Sequence, residues 1–391
     1  MMKGKWAWML VAAAPLLIGI GTGCAGFWQS PSTSTGGGTS SQSSGFFYVL
    51  NQQTKQIAVY SIASGKLTQV SGSPYALSSA PFSIAIAPSG GLLYVGTATG
   101  IFLYDIGSGG ALTLANSSNV ISQDIATTMQ VDSTGNWLVE AGPNLPELFA
   151  IHINSSTGIP VSTTEQSASL PAATLEQVTI SPDNLHIFVA LGSSGTENVT
   201  FAAGANTPLG AITNIPVLNS GGAALSVAVD PSSRLLYIGE TAAVSSANAG
   251  GLRVFNYNTL AELTTSPFAS GGLSPIAIVP THHGTNAGDY VYVANRNVSN
   301  GVNGDIAAFA VSTTGTNTSL TSLNTTVSVG ATPLGLAQDS TGNYLLVVDS
   351  GGSPDLAAFT FDTTTAGKLD AALTASTGTD PVQASAIAAL P

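Results

Sequence analysis

Six times the chain writes a polar turn followed at once by a strand that is apolar at nearly every position. The phrase is "APSGGLLYVGT" from Ala87, "DSTGNWLVEAG" from Asp132, "SPDNLHIFVAL" from Ser181, "DPSSRLLYIGE" from Asp230 and "DSTGNYLLVVD" from Asp339, with a stretched version between Val279 and Asn295. A short continuous apolar run bounded by turn residues reads as a strand buried on both faces. Taking Gly90, Gly135, Asn184, Ser233, Gly288 and Gly342 as equivalent turn positions, the spacings are 45, 49, 49, 55 and 54 residues. A repeat of that length is one supersecondary unit that buries its faces only by stacking on its neighbours.

The unit reads clearly in "PFSIAIAPSGGLLYVGTATGIFLYDIGSGGALTLA" from Pro81: an inner strand, a tight turn, a second and third strand, then a Gly turn into a fourth. Units starting near Pro81, Thr127, Glu176, Ala224, Ser274 and Pro333 make six. The stretch after Gly45 lacks an inner strand, and "DPVQASAIAALP" at the C-terminus is only an inner strand; together they make a seventh. The sequence therefore predicts an all-β, seven-bladed β-propeller of four-stranded antiparallel blades over residues 46–391, closed by pairing of the N- and C-terminal strands. Such closure leaves no free sheet edge.

Of 391 residues 44% are hydrophobic and 7% charged, with 20 acids against 8 bases and a net charge of -12. No basic patch can be built for phosphate contacts, which argues against a nucleic-acid partner. Lys3 and Lys5 precede an apolar stretch from Trp6 to Ile20, the pattern of an export signal over residues 1–24 and too short for a membrane span. Its end, "GIGTGC", resembles the lipobox of bacterial lipoproteins, with Gly21 in place of the usual Leu; the resemblance implies lipidation of Cys24 and a cell-envelope location. Cys24 is the only cysteine, so no intrachain disulfide is possible. Residues 25–45, rich in Ser, Thr and Gly, read as a flexible tether.

The phrases "YVLN", "LYVGT", "YVYVAN" and the "SPD" turn resemble the lactonase-type seven-bladed propeller family with Tyr-Val-Thr-Asn repeats. The resemblance covers residues 46–391 and is specific for fold, since one scaffold carries many activities. It implies His and Arg near the inner-strand starts, but "LEQVTISPD" and "ALSVAVDPS" hold neither. The SPD-like acids Asp183 and Asp230 read as turn formers.

Binding groups concentrate on loops held by a rigid scaffold, here the face where second strands end and inner strands begin. The second strands close at Asn51, Thr97, Gly142, Leu191, Glu240, Asn295 and Asp349, and blades 5 to 7 read as the polar side. Asn51, Thr97, Glu240, Asn295, Arg296 and Asp349 are the expected ligand-binding residues, with Arg296 as the one base in a loop on that face. Inner strands begin at Ser83, Thr128, Gln177, Ser226, Pro275, Gly335 and Gln383. His152 and His186 read as strand residues without a triad partner. His282 and His283 with Asp289, and Asp305 in "NVSNGVNGD", lack a recognisable metal-ligand spacing, so no metal or cofactor is expected.

The favoured reading is a non-catalytic, lipid-anchored, monomeric module that offers its loop face to a glycan, peptide or protein. The alternative is a lactone hydrolase using Glu176, Gln177, Glu240 or Asp349 around an activated water. An acid with a raised pKa would serve as its base, but nothing in the sequence shows the burial that requires.

Overall fold

The computed structural model describes residues 45–143, 146–162, 165–244, 249–283, 288–296, 303–314, 317–351, 355–374 and 384–391; the export signal, Cys24 and Gln383 lie outside them. In blade 2 the strands run outward from the axis as Pro81–Ile86, Leu92–Thr97, Gly100–Ile106 and Leu112–Leu114, each antiparallel to the next. Blades 3, 4 and 5 repeat the order from Thr128–Val131, Gln177–Ile180 and Ala224–Val229. Blades 6 and 7 share one long strand, Asn317–Gln338. Its first part is the outer strand of blade 6 (Ile306↔Val327, Val311↔Leu320), and its last part is the inner strand of blade 7 (Leu336↔Val347). Blade 1 is completed from both ends of the chain, because Ala384–Ala389 pairs with Gly45–Asn51 through Phe47↔Ala389 and Val49↔Ile387. The sequence-predicted architecture and closure are those observed.

Side chains alternate faces along a strand, so each blade packs against both neighbours. In blade 3, Trp137, Val139 and Ala141 pack onto Ile187 and Val189 of blade 4, while Leu138 packs onto Tyr94 and Leu103 of blade 2. The described buried residues form seven such clusters, one at every blade junction, the one between blades 7 and 1 included. That is why the second strands are apolar on both faces.

The repeated turn has a common wiring. Asp132 Oδ1 accepts from the backbone N–H of Asn136 and Trp137 (2.8 and 2.7 Å), and Asp339 Oδ1 accepts from Tyr344 N at 2.7 Å. Asp230 accepts from Ser232 and Leu235, and Asp183 from Leu185 and from the hydroxyls of Ser181 and Tyr257, so both expected turn formers are so used. Gly90, Gly135, Asn184, Ser233 and Gly342 all take the left-handed conformation, with φ between 52° and 73°. Their equivalence is thus conformational, and it explains why Gly and Asn recur there.

The Tyr of the repeat has its own role. Tyr48, Tyr94 and Tyr292 each donate a hydroxyl hydrogen bond to a glycine carbonyl one blade on, at Gly110, Gly158 and Gly367. The glycine is required: a Cβ at Gly158, whose φ is +72°, would stand 2.9 Å from the Tyr94 hydroxyl. The segment containing His282 and His283 extends a hairpin, with His283 paired to Gly288.

Candidate functional site at the axial mouth

Inner strands have one edge without a strand partner, and buried N–H and C=O groups need acceptors and donors. Here side chains of one blade cap the inner strand of the next. Ser83 Oγ donates to Ala126 O (2.6 Å), Thr128 Oγ1 and Gln130 Oε1 accept from Val178 N and Ile180 N (2.9 and 2.8 Å), Gln177 Oε1 accepts from Val227 N (3.0 Å), and Ser226 Oγ donates to Pro275 O (2.8 Å). The belt links blades 2 through 6. Several inner-strand polar residues that looked like mouth groups are therefore engaged in holding the ring. Gln177, a candidate catalytic residue, has its amide oxygen committed in this way.

The inner strands enclose an axial cavity of about 440 Å³. One arc of its wall is mainly polar, with Gln130, Glu176, Gln177 and Thr179 from blades 3 and 4; the other is mainly apolar, with Phe82, Ile84, Val279, Leu336 and Ile387 from blades 2, 6, 7 and 1, interrupted by Ser83, Gln338 and Ser385. The most polar wall of the axis thus belongs to blades 3 and 4, apart from the loop-face polarity expected on blades 5 to 7. Strand-end polarity at Glu240, Asn295 and Asp349 does not reach the channel.

Those strand-end side chains are buried and bonded to neighbouring strands, turns and blade connections. Asn51 (3% exposed) accepts from Thr54 N, Thr97 (0%) donates to Gly100 O, and Asn295 (0%) donates to Ser270 O and Asp305 Oδ1. Asp349 (0%) accepts from Gly330 N. Glu240 accepts from Leu218 N at 2.6 Å and from Arg253 Nη1 at 3.0 Å, and Arg253 also grips Glu262 at 2.7 Å and Pro216 O. The Arg253 partner was not evident from sequence, since it sits thirteen positions away on the next strand. Structurally, these residues lie beneath the loop face and fasten second strands to third.

Glu176 and Arg296 stand apart from this pattern. Glu176, half-buried at the rim where blade 4 begins, has its carboxyl raised by burial, and the Arg296 charge opposes that rise. Arg296, at the end of the second strand of blade 6, holds the Ser274 carbonyl through its backbone N–H while its buried Nε has no hydrogen-bond partner among the described residues. The two face one another electrostatically from different blades. Lys55 lies on the same loop face, exposed, in the turn between the second and third strands of blade 1, so Arg296 is not the one base there. Arg234 lies on the opposite face, paired with Asp230 and Asp289.

His152, exposed, stacks on Trp137 at 4.6 Å, and His186 Nδ1 meets Asn198 Oδ1 at 2.7 Å, so both are strand residues engaged with neighbours in their own blades. Asp289 and Asp305, the acids considered for metals, are tied to Arg234 and Asn295.

An acidic group that the sequence reading missed lies between blades 2 and 3. Glu140 is 1% exposed with neither carboxylate oxygen hydrogen-bonded among the described residues, and by strand alternation it shares the face of Leu138 toward blade 2. Burial pushes its carboxyl up to about 8, with Asp124 and Glu165 adding to the rise. Glu165 is pushed up to about 7 by burial and by Asp124, which accepts the Ser122 hydroxyl at 2.5 Å. The signal was an acid inside "NWLVEAG", an otherwise apolar second strand. Among the described residues no group of three or more His, Cys, Asp or Glu is placed to hold a metal ion.

The family model of the seven-bladed lactonase β-propeller matches residues 250–384. The fold is that of a lactonase-like propeller. A putative 6-phosphogluconolactonase from Bacteroides fragilis superposes with a TM-score of 0.66 at 15% identity, covering 91% of this chain and 100% of its own. The periplasmic gluconolactonase of Pseudomonas aeruginosa gives 0.63 at 17% identity, covering 89% and 99%. A putative 6-phosphogluconolactonase from Bacteroides uniformis gives 0.65 at 14%, covering 89% and 100%. No curated protein sequence matches.

Proposed function

We propose that the axial mouth hydrolyses lactones, with Glu176 as general base and Arg296 as the group that receives developing oxyanion charge. The observation that carries this is the Glu176–Arg296 pair: burial raises the carboxyl, as a base working near neutrality requires, and a cation from another blade stands close enough to act on it. Burial was the element missing from the sequence reading. Glu176 takes a proton from water as the water oxygen bonds to the ester carbon. Arg296 stabilises the tetrahedral oxyanion. As the ring C–O bond breaks, the alkoxide takes the proton back from Glu176, leaving an open-chain hydroxy acid. The similarity to the named gluconolactonases and phosphogluconolactonases supports the ester chemistry, while a phosphorylated substrate would call for a forked cluster of cations.

Parent protein assayed by pH-stat on gluconolactone and simple γ-lactones is expected to turn over within the usual range of about 1 to 1,000 per second. Glu176→Gln should lose about 10²–10⁴-fold in kcat. A second reading, the non-catalytic binding module, is favoured by the commitment of Gln177, Glu240 and Asp349 to structural bonds. No turnover above buffer, together with calorimetric binding of a lactone, would establish it.

The lipid anchor belongs to the same proposal. Two acyl chains hold a protein stably to a bilayer where one does not. Cys24→Ser is expected to move the protein from the membrane fraction to the soluble one, and a parent without acyl mass by mass spectrometry would refute the anchor.

A further inference from the structure

We infer that the axial channel selects lactones bearing a linear alkyl chain, the ring held at Glu176 and Arg296 and the chain lying along the apolar arc. The inference rests on the mouth being the lactone site, as proposed above. Large apolar side chains elsewhere in the second strands are completely buried, among them Leu93, Leu236, Val291 and Leu345. Phe82, Ile84, Val279, Leu336 and Ile387 differ: each is partly exposed, and each lines the axial cavity. Partly exposed apolar side chains from four blades thus meet along one side of this cavity.

Its chemistry separates two kinds of ligand. A polyhydroxylated ring or chain carries a hydroxyl on nearly every carbon, and any hydroxyl turned to this arc would lose water and meet Phe, Ile, Val and Leu side chains, which offer no donor or acceptor. A methylene on the same arc gains from leaving water. The polar arc opposite is itself largely committed, since Gln130 and Gln177 cap inner-strand amides one blade on. Glu176 lines that cavity at the start of its inner strand, and the Arg296 charge acts on it from blade 6, so the ester would sit at that end.

Size agrees. A cavity of about 440 Å³ falls in the range of small-molecule sites, roughly 300–1,000 Å³. Six-residue inner strands such as Pro81–Ile86 give a wall about 20 Å long at ~3.3 Å per residue. That is the shape of a chain more than of a sugar ring.

The test is a series of γ-lactones, γ-butyrolactone, γ-octalactone and γ-dodecalactone, with gluconolactone as the hydroxylated comparison. Both kcat/KM for hydrolysis and Kd by calorimetry are measured on the parent. Each added methylene should raise kcat/KM and lower Kd by about three- to fourfold until the chain fills the channel. Leu336→Gln and, separately, Ile84→Thr should flatten that dependence. Turnover of all the lactones at a rate independent of chain length, or a preference for gluconolactone, would overturn the inference and leave lactone hydrolysis standing. Chain-dependent binding without turnover would do the reverse, removing the hydrolase and retaining the amphipathic channel. Absence of chain dependence in both measurements overturns the inference outright.

Discussion

Removal of residues 384–391 is expected to abolish the cooperative thermal transition of the propeller or lower its midpoint drastically. These residues supply the inner strand of blade 1, paired with Gly45–Asn51 from Phe47↔Ala389 to Asn51↔Ala384, and Leu390 N extends the ladder to Phe46 O. Ile387 packs at the junction with blade 7 and Leu390 at the junction with blade 2. Their loss with the ladder bonds removes roughly 5–10 kcal/mol, about the whole stability of an ordinary domain. It also turns Gly45–Asn51 into a bare edge open to pairing with another copy. A circular permutant offers the converse. Placing residues 384–391 before Gly45 through an Asp-Ser-Thr-Gly turn makes blade 1 a copy of the others, and it should melt close to the parent. A truncated protein that melts within a few degrees of the full chain would remove terminal pairing as the closure.

Raising the pH from 5 to 9 should destabilise the parent, and Glu140→Gln should cancel most of that loss. Burial, with Asp124 and Glu165 beside it, pushes the folded Glu140 carboxyl up to about 8, against about 4.5 when exposed. Between those values the unfolded chain gives up its proton and the folded one keeps it, so the stabilisation present below about pH 4.5 is lost as pH rises through 8. Each group so shifted gives a slope of up to about 1.4 kcal/mol per pH unit, so the total is on the order of a few kcal/mol. Glu165, more exposed and pushed only to about 7, adds a smaller part. Calorimetric midpoints at pH 5, 7 and 8.5 should show parent and variant near one another in acid and diverging in base, with the variant higher. Parallel curves would mean that Glu140 is ionised throughout.

The fold was legible because its signals are local. Asp132, Gly135 and the apolar run that follows are contiguous, and the wiring from Asp132 to Trp137 closes within six residues. The same holds at Asp230 and Asp339, so the turn announces each blade before any long-range contact is known. The site was less legible because its determinants act about fifty residues apart. Whether Gln177 faces a ligand or caps Val227 depends on the blade beside it. Strand-end polarity misled for a related reason: Asn295 and Glu240 look exposed in a linear alignment, yet Asp305 and Arg253 on the next strand take them up. Glu140 was overlooked because the carboxylates that surround it come from Asp124 in the approach to its own blade and from Glu165 beyond the third strand. The Glu176–Arg296 pair joins blades 4 and 6, and no spacing rule in one dimension marks such a meeting.

The capping belt gives the ring an uneven stiffness. From blade 2 to blade 6, prising neighbouring inner strands apart means breaking hydrogen bonds such as Thr128–Val178 and Ser226–Pro275. Across blades 6, 7 and 1, the inner strands turn Val279, Leu336 and Ile387 to the axis, side chains with no hydrogen bond to give. Local opening follows the weaker contacts. Breathing of the propeller therefore has a preferred hinge side and a preferred opening side, and the channel widens along the wall where an apolar guest would have to enter.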